Sequence, residues 1–207
     1  MTSKPTSTSF ALLGLLGIQS WTAYELVAQV RRNMYIVWPR SEAHLYAELK
    51  RIVERGHASA EVVEGRRRQA TRYTITAEGR AALEEWLGTE PAPPLLEVEG
   101  ILRLFLADQG SKEDLRAAIE STKRQASGLL AYGATIGEEL LSTGGLFPQR
   151  LHLTERVSAF LGEYLVLLVD WCDETLKEID TWPDTRGVGL TPQARERLEL
   201  LRARYNP

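Results

Sequence analysis

The sequence is poor in the residues that build disulfide frameworks and metal centres. Its 207 residues include one cysteine, Cys172, and three histidines, His44, His57 and His152. A single cysteine excludes an internal disulfide framework, and the scattered histidines lack the close spacing of metal ligands. We therefore predict no metal site, no cofactor, and a reduced protein of the cytoplasm.

Membrane spans and catalytic motifs are also lacking. The strongest apolar runs, residues 10–18 and 165–169, are well short of the roughly 20 residues that a membrane helix needs. The first run follows a single basic residue and has no clear cleavage site, so it is a poor signal peptide. There is no Gly-rich phosphate loop, and no Ser/His/acid or Cys/His grouping stands in a recognisable motif. These absences argue against an enzyme and against a membrane partner.

Charge is distributed unevenly along the chain. The formal net charge is −3, but residues 1–88 hold 12 Lys and Arg against 9 Asp and Glu, whereas residues 89–207 hold 13 against 19. A basic part followed by an acidic part suits a DNA-reading domain joined to a partner-binding domain.

The first 56 residues have the pattern of a three-helix cluster. Residues 1–9 are rich in Ser and Thr and are predicted to form a mobile arm, and residues 10–18 a short buried helix. Thr22, with Glu25 three residues later, predicts the cap of a second helix that ends near Arg32. A third helix is predicted over Ser41–Arg55, because Trp38-Pro39 excludes an earlier start and Gly56 provides a stop.

Strand-like residues follow Gly56. Ala60–Glu64 and Arg72–Thr76 are predicted strands of a hairpin whose turn carries three consecutive arginines, and Thr76 then caps a helix over residues 77–87. Three helices, a hairpin and a helix are the order of a winged helix-turn-helix. We assign residues 1–88 to this domain.

The rest of the chain is predicted to be helical. Residues 89–94 contain three prolines and form a linker, and residues 95–207 form a second domain. Its predicted elements are a short apolar helix over 95–107, a long helix opened by Ser111 with Asp114, a second long helix from Thr154 to Thr181, and a charged helix from Thr191-Pro192 to about Tyr205. The fold class is therefore mainly α, with long antiparallel helices after the winged domain.

The second long helix indicates a dimer. Residues 165–169 are apolar all round, and two long helices of one chain cannot cover every side. A second subunit is implied, with an interface drawn from Leu161, Tyr164, Leu165, Leu168 and Trp171. Phe160, Tyr164 and Trp171 share one side of the helix, and they fit either dimer packing or a pocket for a flat apolar effector.

The third helix has a candidate DNA-reading face. Its core side is set by Leu45, Leu49, Ile52 and Val53, and the opposite side presents Arg40, Ala43, Ala47, Lys50 and Arg51, with His44 and Tyr46 at the edges. Small alanines let a helix approach base edges, and the basic residues can reach guanine or phosphate. A solvated amphipathic helix fits the same pattern.

The arginine run is the second candidate contact. Arg66, Arg67 and Arg68 stand at the tip of the predicted hairpin, where a wing meets the phosphate backbone or the minor groove. A solvated charged loop is the alternative. The two features support each other, because a wing in this place follows a recognition helix.

Two stretches resemble the PadR family of transcriptional regulators. They are residues 36–56, IVWPRSEAHLYAELKRIVERG, and residues 72–80, RYTITAEGR, followed by Leu83 and Trp86-Leu87. The proline-rich joint and the long helices resemble the dimerisation region of the longer subfamily over about 90–181. The resemblance implies a homodimer, usually a repressor, that binds DNA and often answers to a small molecule. The resemblance carries DNA contacts over to Ser41, His44, Tyr46 and the wing arginines, and it ends near Asp184. Arg72, at the start of the second predicted strand, is a further candidate DNA contact.

We therefore expect a homodimeric repressor that reads a palindromic operator in double-stranded DNA and answers to a small apolar effector. The alternative is a ligand-sensing or protein-binding module that keeps the winged fold without specific DNA binding. The near-neutral overall charge favours that alternative, as do the acids Glu42, Glu48 and Glu54 within the third helix, since carboxylates repel phosphate.

Overall fold

A computed structural model describes residues 4–34, 36–64 and 69–205 of the chain. The chain divides into two compact units, Met1–Pro94 and Leu95–Pro207. Within the described residues, no helix is long and apolar enough to cross a membrane.

The first unit is a winged helix-turn-helix, as predicted. Its elements are α1 (Ser7–Ile18), β1 (Trp21–Thr22), α2 (Ala23–Met34), α3 (Glu42–Glu54), β2 (Ala58–Glu64), β3 (Gln69–Ile75) and α4 (Ala77–Leu87). The strands form an antiparallel sheet in the order β1-β3-β2. The sequence reasoning missed β1, because two residues are too short to show a period of two.

The start of the chain differs from the prediction. A mobile arm was expected up to residue 9, but Thr6 caps α1 and Ser7 already belongs to the helix. The Thr6 hydroxyl accepts from the backbone N–H of Ser9 at 3.2 Å, and the Ser9 hydroxyl accepts from the backbone N–H of Thr6 at 2.9 Å. This is a capping box built with serine in place of the usual Glu or Gln, so it escaped a search for that motif.

The core of the first unit lies where α1, α2 and α3 meet. The leucines of α1 face several directions and are buried, as the sequence predicted: Leu12, Leu13, Leu15 and Leu16. From α3, Leu45, Leu49 and Ile52 close the core from the other side. The apolar side of α3 is thereby fixed inward, and its other side is left for contacts outside the unit.

The second unit is all helical. It contains α5 (Glu99–Phe105), a 3-10 turn (Ala107–Gln109), α6 (Lys112–Thr143), a 3-10 turn (Pro148–Arg150), α7 (Leu151–Thr181) and α8 (Pro192–Tyr205). The predicted starts at Ser111 and Thr191 are confirmed, since both hydroxyls accept the backbone N–H three residues on. Two predicted helix starts are wrong. Residues 95–98 are not helical, and Thr154 lies one turn inside α7, where its hydroxyl bonds to the carbonyl of Arg150.

Helices α6 and α7 run antiparallel. The Nζ of Lys112, at the start of α6, donates to the carbonyl of Trp182 just after α7, and Lys123 pairs with Asp173 at 2.5 Å. Between the helices, Leu115, Ile119, Cys172 and Ile179 form a buried cluster. Burial raises the pKa of the Cys172 thiol, with Asp173 adding to the shift, which fits the inert buried thiol that the sequence predicted.

Candidate nucleic-acid interface

Helix α3, the predicted recognition helix, has well-defined ends. Ser41 is its N-cap, and the Ser41 hydroxyl accepts from the backbone N–H of His44 at 3.3 Å. Gly56 has φ +75°, the left-handed conformation that terminates helices and that other residues adopt with strain. These two residues fix the length and entry angle of α3, so its outer face is a defined surface.

The predicted DNA-reading residues of α3 divide into two groups by exposure. Arg40, Ser41, Ala43, His44, Lys50 and Arg51 are exposed, whereas Tyr46 and Ala47 are half-buried. Lys50 and the small Ala43 therefore stand outward on the side opposite the core. Ala47 lies closer to the body of the unit, so a longer side chain there would change the profile of the face.

Arg40 is held in place before α3 begins. Its guanidinium lies over the Trp38 ring at 4.5 Å from the ring centroid, and its Nη1 donates to the carbonyl of Pro39 at 2.7 Å. Trp38 is in turn fixed to α1, because its indole N–H donates to the hydroxyl of the buried Thr8 at 3.2 Å. A cation held against an aromatic ring beside a helix N-terminus is suited to a phosphate.

Two of the three acids on α3 are compensated within the unit. Glu42 pairs with Arg31 of α2. Glu48 is completely buried, at 0% exposure, and accepts hydrogen bonds from Ser9, Arg51 and Arg55. Burial raises the pKa of the Glu48 carboxyl, but these hydrogen bonds outweigh burial and hold it below its ordinary value. Glu48 is therefore charged, and its charge is directed inward.

The burial of Glu48 was not predicted. A signal was present, because Leu45, Glu48, Leu49 and Ile52 follow the i, i+3, i+4, i+7 spacing of one helix face. The sequence reasoning instead grouped Glu48 with Glu42 and Glu54 as acids of the helix. A buried carboxylate needs hydrogen-bond partners, and one of them, Ser9, lies 39 residues away. Spacing along one helix cannot reveal such a partner.

The hairpin is fixed to the body of the unit by its base. The hydroxyl of Thr76 donates to the carbonyl of Gly56 at 2.6 Å and accepts from the backbone N–H of Gly79 at 3.0 Å. Arg72 lies on the exposed side of β3, and its Nη1 donates to the carbonyl of Ser20 at 3.2 Å. Arg72 thus braces β3 against the chain before β1. The predicted wing-tip residues Arg66, Arg67 and Arg68 lie outside the described residues.

The predicted interface residues of α7 are mostly occupied within the subunit. Leu165 is buried, and Leu168 and Trp171 pack against the cluster between α6 and α7. Leu161 and Tyr164 are half-buried, and burial raises the pKa of the Tyr164 phenol. Phe160 is 68% exposed. Of the α7 residues predicted for the interface or the effector pocket, Phe160 is therefore the one that the structure leaves exposed.

The predicted effector residues do not line the cavity that the structure describes. An open hollow of about 470 Å³ lies on α6 and α7, and its walls are formed by Glu120, Lys123, Arg124, Ser127 and Leu176. Phe160, Tyr164 and Trp171 lie outside these walls. Three of the five residues that line this hollow are charged and none is aromatic, unlike the aromatic pocket that the sequence suggested.

Comparison with known proteins finds a family model that matches the first unit and relatives that cover most of the chain. Residues 12–85 match the model of the transcriptional regulator PadR-like family. The negative transcriptional regulator PadR of Bacillus subtilis (strain 168) is 24% identical over 187 residues, which cover 83% of this chain and 96% of that protein.

Solved structures show the same fold. Bacillus subtilis PadR in complex with operator DNA has a TM-score of 0.67 at 20% identity, and it covers 84% of this chain and 99% of its own. The same protein in complex with p-coumaric acid has a TM-score of 0.58 at 19% identity, covering 87% and 99%. The Vibrio cholerae virulence activator AphA has a TM-score of 0.66 at 22% identity, covering 84% and 98%. Over residues 12–85 the chain is therefore similar to the PadR-like family of transcriptional regulators, and its fold is that of the solved PadR structures.

Proposed function

We propose that this protein is a homodimeric repressor that binds a palindromic operator in the cytoplasm through α3 and the wing. The observation that carries the proposal is the outer face of α3, which presents Lys50 and Arg51 while Glu42 and Glu48 are neutralised within the unit. Such a face keeps its positive potential toward DNA. Repression follows from the likeness to a negative regulator, Bacillus subtilis PadR.

The residues of the face have separate tasks in this proposal. Ala43 and Ala47 allow close approach to base edges, and Lys50 and Arg51 read guanine or contact phosphate. Arg40, Ser41, His44 and Tyr46 contact the backbone at the edges of the face. The wing arginines 66–68 add phosphate contacts of no sequence preference. Arg72 supports the wing through Ser20 and lies at the border of this surface.

An exposed apolar stripe on α7 supports the homodimer. We call the α7 stripe the residues Leu153, Val157, Phe160, Tyr164 and Leu167, which are spaced by alternating steps of four and three. All are exposed except the half-buried Tyr164, and Leu167 is 67% exposed. Steps of four and three are the pattern by which helices pack along a seam. A second copy with the same stripe can cover it around a two-fold axis.

Release by a small molecule is part of the proposal. Bacillus subtilis PadR forms a complex with p-coumaric acid, an aromatic carboxylic acid. In this chain, Phe160, Tyr164 and Trp171 supply aromatic surface on α7 for a flat ligand. Binding that favours a dimer geometry unsuited to the operator would lower DNA affinity.

The alternative, a winged module without specific DNA binding, is less well supported. It rested on the acids of α3, and only Glu54 is exposed and not in an ion pair that the structure describes. The alternative also gives no function to the basic side of α3 that carries Lys50 and Arg51.

In vitro selection from a random DNA library tests the proposal. The full-length protein should enrich a sequence with two-fold symmetry, and a gel shift should then give an operator affinity at least about a thousandfold above that for random DNA. Half-sites are expected about one helical turn apart, roughly 34 Å. Binding with equal affinity to all sequences would exclude the specific regulator and favour the alternative.

A further inference from the structure

A charged network joins the recognition helix to α1. Glu48 of α3 is fully buried, and its Oε1 accepts from the hydroxyl of Ser9, which is also fully buried. The Ser9 hydroxyl accepts in turn from the backbone N–H of Thr6 at 2.9 Å. The network therefore runs from the N-terminus of α1 to the middle of α3, and every step in it is directional.

Two arginines complete the network: Arg51, an exposed residue of α3, and Arg55, the nearly buried C-cap residue of that helix. The Nη1 of Arg51 donates to Oε2 of Glu48 at 2.7 Å, and the Nη1 of Arg55 donates to Oε1 at 3.4 Å. The Arg55 side chain is nearly buried, whereas the Arg51 side chain is 45% exposed. Glu48 thus holds one guanidinium inside the unit and another at the edge of the DNA-reading face.

Packing alone does not call for a carboxylate at this place. An apolar side chain on the Leu45, Leu49 and Ile52 side of α3 would fill the α1–α3 contact without the desolvation of a charge. What the carboxylate adds is a fixed orientation of the arginine side chain that binds it. An arginine with a fixed Nη1 loses rotamer freedom before DNA arrives, and its remaining N–H donors point to one place on the DNA.

We propose that Glu48 is a positioning residue for DNA reading: it fixes the guanidinium of Arg51 so that Arg51 selects the base pair it meets. This inference rests on the proposed function, since it names how one side chain of that interface gains specificity. Glu48 itself touches no DNA and acts through Arg51.

A variant of Glu48 should therefore lose sequence specificity while it keeps its affinity for DNA in general. Glu48→Gln keeps the shape of the side chain and removes its charge. The freed Arg51 still attracts phosphate, so binding to random DNA should stay equal or become tighter, because one negative charge has gone. The ratio of operator affinity to random-DNA affinity should fall about tenfold, the range expected when one guanine contact is lost.

A double-mutant cycle tests the link between the two residues. The full-length wild type, Glu48→Gln, Arg51→Ala and the double variant are titrated at one salt concentration with the selected operator and with random DNA of equal length. Arg51→Ala should lower the ratio by itself, and Glu48→Gln should add nothing in that background. Equal loss on both DNAs, or effects on the ratio that multiply in the double variant, would overturn the positioning role.

A purely structural effect is excluded by two further measurements. Thermal unfolding shows whether Glu48→Gln is folded at the assay temperature. If it is not, Glu48→Asp serves instead, because it keeps the charge and shortens the reach to Arg51. It should lower the ratio in the same way, and an unchanged ratio overturns the proposal. Partial unfolding would weaken binding to both DNAs equally.

The inference and the proposed function fail in different ways. If the wild type binds all sequences equally, both the proposed function and the positioning role of Glu48 are wrong. A wild type that selects an operator, with a Glu48→Gln variant that is equally selective, overturns only the positioning role. Without DNA, the Nη1–H protons of Arg51, which bind Glu48, should exchange with water more slowly in wild type than in Glu48→Gln. Equal exchange contradicts the fixed guanidinium.

Discussion

A carboxylate on a DNA-reading helix repels phosphate unless a nearby cation compensates it. In α3, Glu42 is paired across to α2 through Arg31, and Glu48 is turned into the core toward Ser9 and two arginines, one in its own helix and one at the C-cap of that helix. The sum of Glu48, Arg51 and Arg55 is one positive charge, and the exposed member of the three is an arginine. At the scale of single residues, the acids of α3 therefore leave its outer face basic.

Ala47 tests whether this face meets DNA. Ala47→Glu places a new carboxylate at a half-buried position of the outer face, where it meets the DNA phosphates and competes with them for Lys50 and Arg51, three and four residues on. Operator affinity should fall about a hundredfold or more, because like charges brought together cost several kcal/mol.

The matched control is Ala47→Ser, which adds one oxygen without charge and should bind within a few-fold of wild type. Circular dichroism should show the same helix content in both variants. An Ala47→Glu protein that binds the operator at full strength would place α3 outside the major groove.

Glu48 predicts a pH dependence of stability. Its carboxyl has a pKa below the ordinary value of 4.5 in the folded protein. Such a group stabilises the fold fully above the unfolded-state pKa, and the contribution is lost as pH falls through the folded-state pKa. The difference in unfolding free energy between wild type and Glu48→Gln should therefore be constant near neutral pH and shrink as pH falls below the ordinary carboxyl pKa of 4.5.

Urea unfolding of the two proteins across this pH range measures that difference directly. Ser9 provides a second check. Ser9→Ala removes one hydrogen bond to the carboxylate, so the loss of unfolding free energy on acidification should be smaller. A difference that grows on acidification would mean that the pKa of Glu48 in the folded protein lies above its ordinary value.

At the scale of elements, helix ends with a local signal could be predicted and helix ends set by packing could not. Ser41, Ser111 and Thr191 cap their helices through the next three residues, so the sequence alone places them. The 3-10 turn Pro148–Arg150 leads directly into α7, so residues 151–153 are already helical. Thr154 was predicted as the cap because threonine has a hydroxyl that can cap a helix. The capping oxygen needs an extended backbone, which Thr154 does not have.

Thr76 joins the wing to the recognition helix and can be tested separately from DNA binding. Thr76→Ala removes the cap of α4 and the bond to the Gly56 carbonyl, and it should lower the free energy of unfolding by about 1–2 kcal/mol. Thr76→Ser keeps the hydroxyl and should recover most of this loss. Equal stability of wild type and Thr76→Ala in urea would show that the hydroxyl is replaced by water without cost.

The wing arginines can be tested by salt dependence. If Arg67 contacts phosphate, Arg67→Ala should weaken binding to operator and random DNA by the same factor. The slope of log affinity against log salt should fall by about 0.9 for one lost contact.

Arg156→Ala is the control, because Arg156 is an exposed residue of α7 in the other unit and should leave the slope unchanged. An Arg67→Ala protein with the wild-type slope would remove the wing from the DNA. A loss confined to the operator would make Arg67 a base-reading residue.

At the scale of the whole molecule, the uneven distribution of charge follows the division of the chain into two units. The basic excess lies in residues 1–88 with the winged domain, and the acidic excess lies in residues 89–207 with the long helices. The mainly α fold could be predicted because helix periodicity and caps are local. The side of α7 that stays exposed could not, because α6 covers part of the apolar surface and the sequence does not say which part.

The last prediction concerns that exposed side. The helix segment 165–169 is apolar all round, but Leu168 packs on the core of its own subunit, so Leu168→Asp would damage the fold as well as an interface. Leu167 is the better probe. Leu167→Asp puts a charge on the exposed α7 stripe, where it costs little in a monomer and several kcal/mol between two copies.

Sedimentation should therefore show wild type as a dimer at micromolar concentration and Leu167→Asp as a folded monomer, with helix content retained and operator affinity reduced although no DNA-contacting residue has changed. The control is Glu155→Lys, a charge change at an exposed position of α7 that lies about 160° around the helix from the centre of the stripe, which should stay dimeric. Wild type that sediments as a monomer would refute the dimer and, with it, the reading of a two-fold operator. A dimeric Leu167→Asp would move the interface to another face of the second unit, because a carboxylate without a partner cannot remain buried at the centre of an apolar seam.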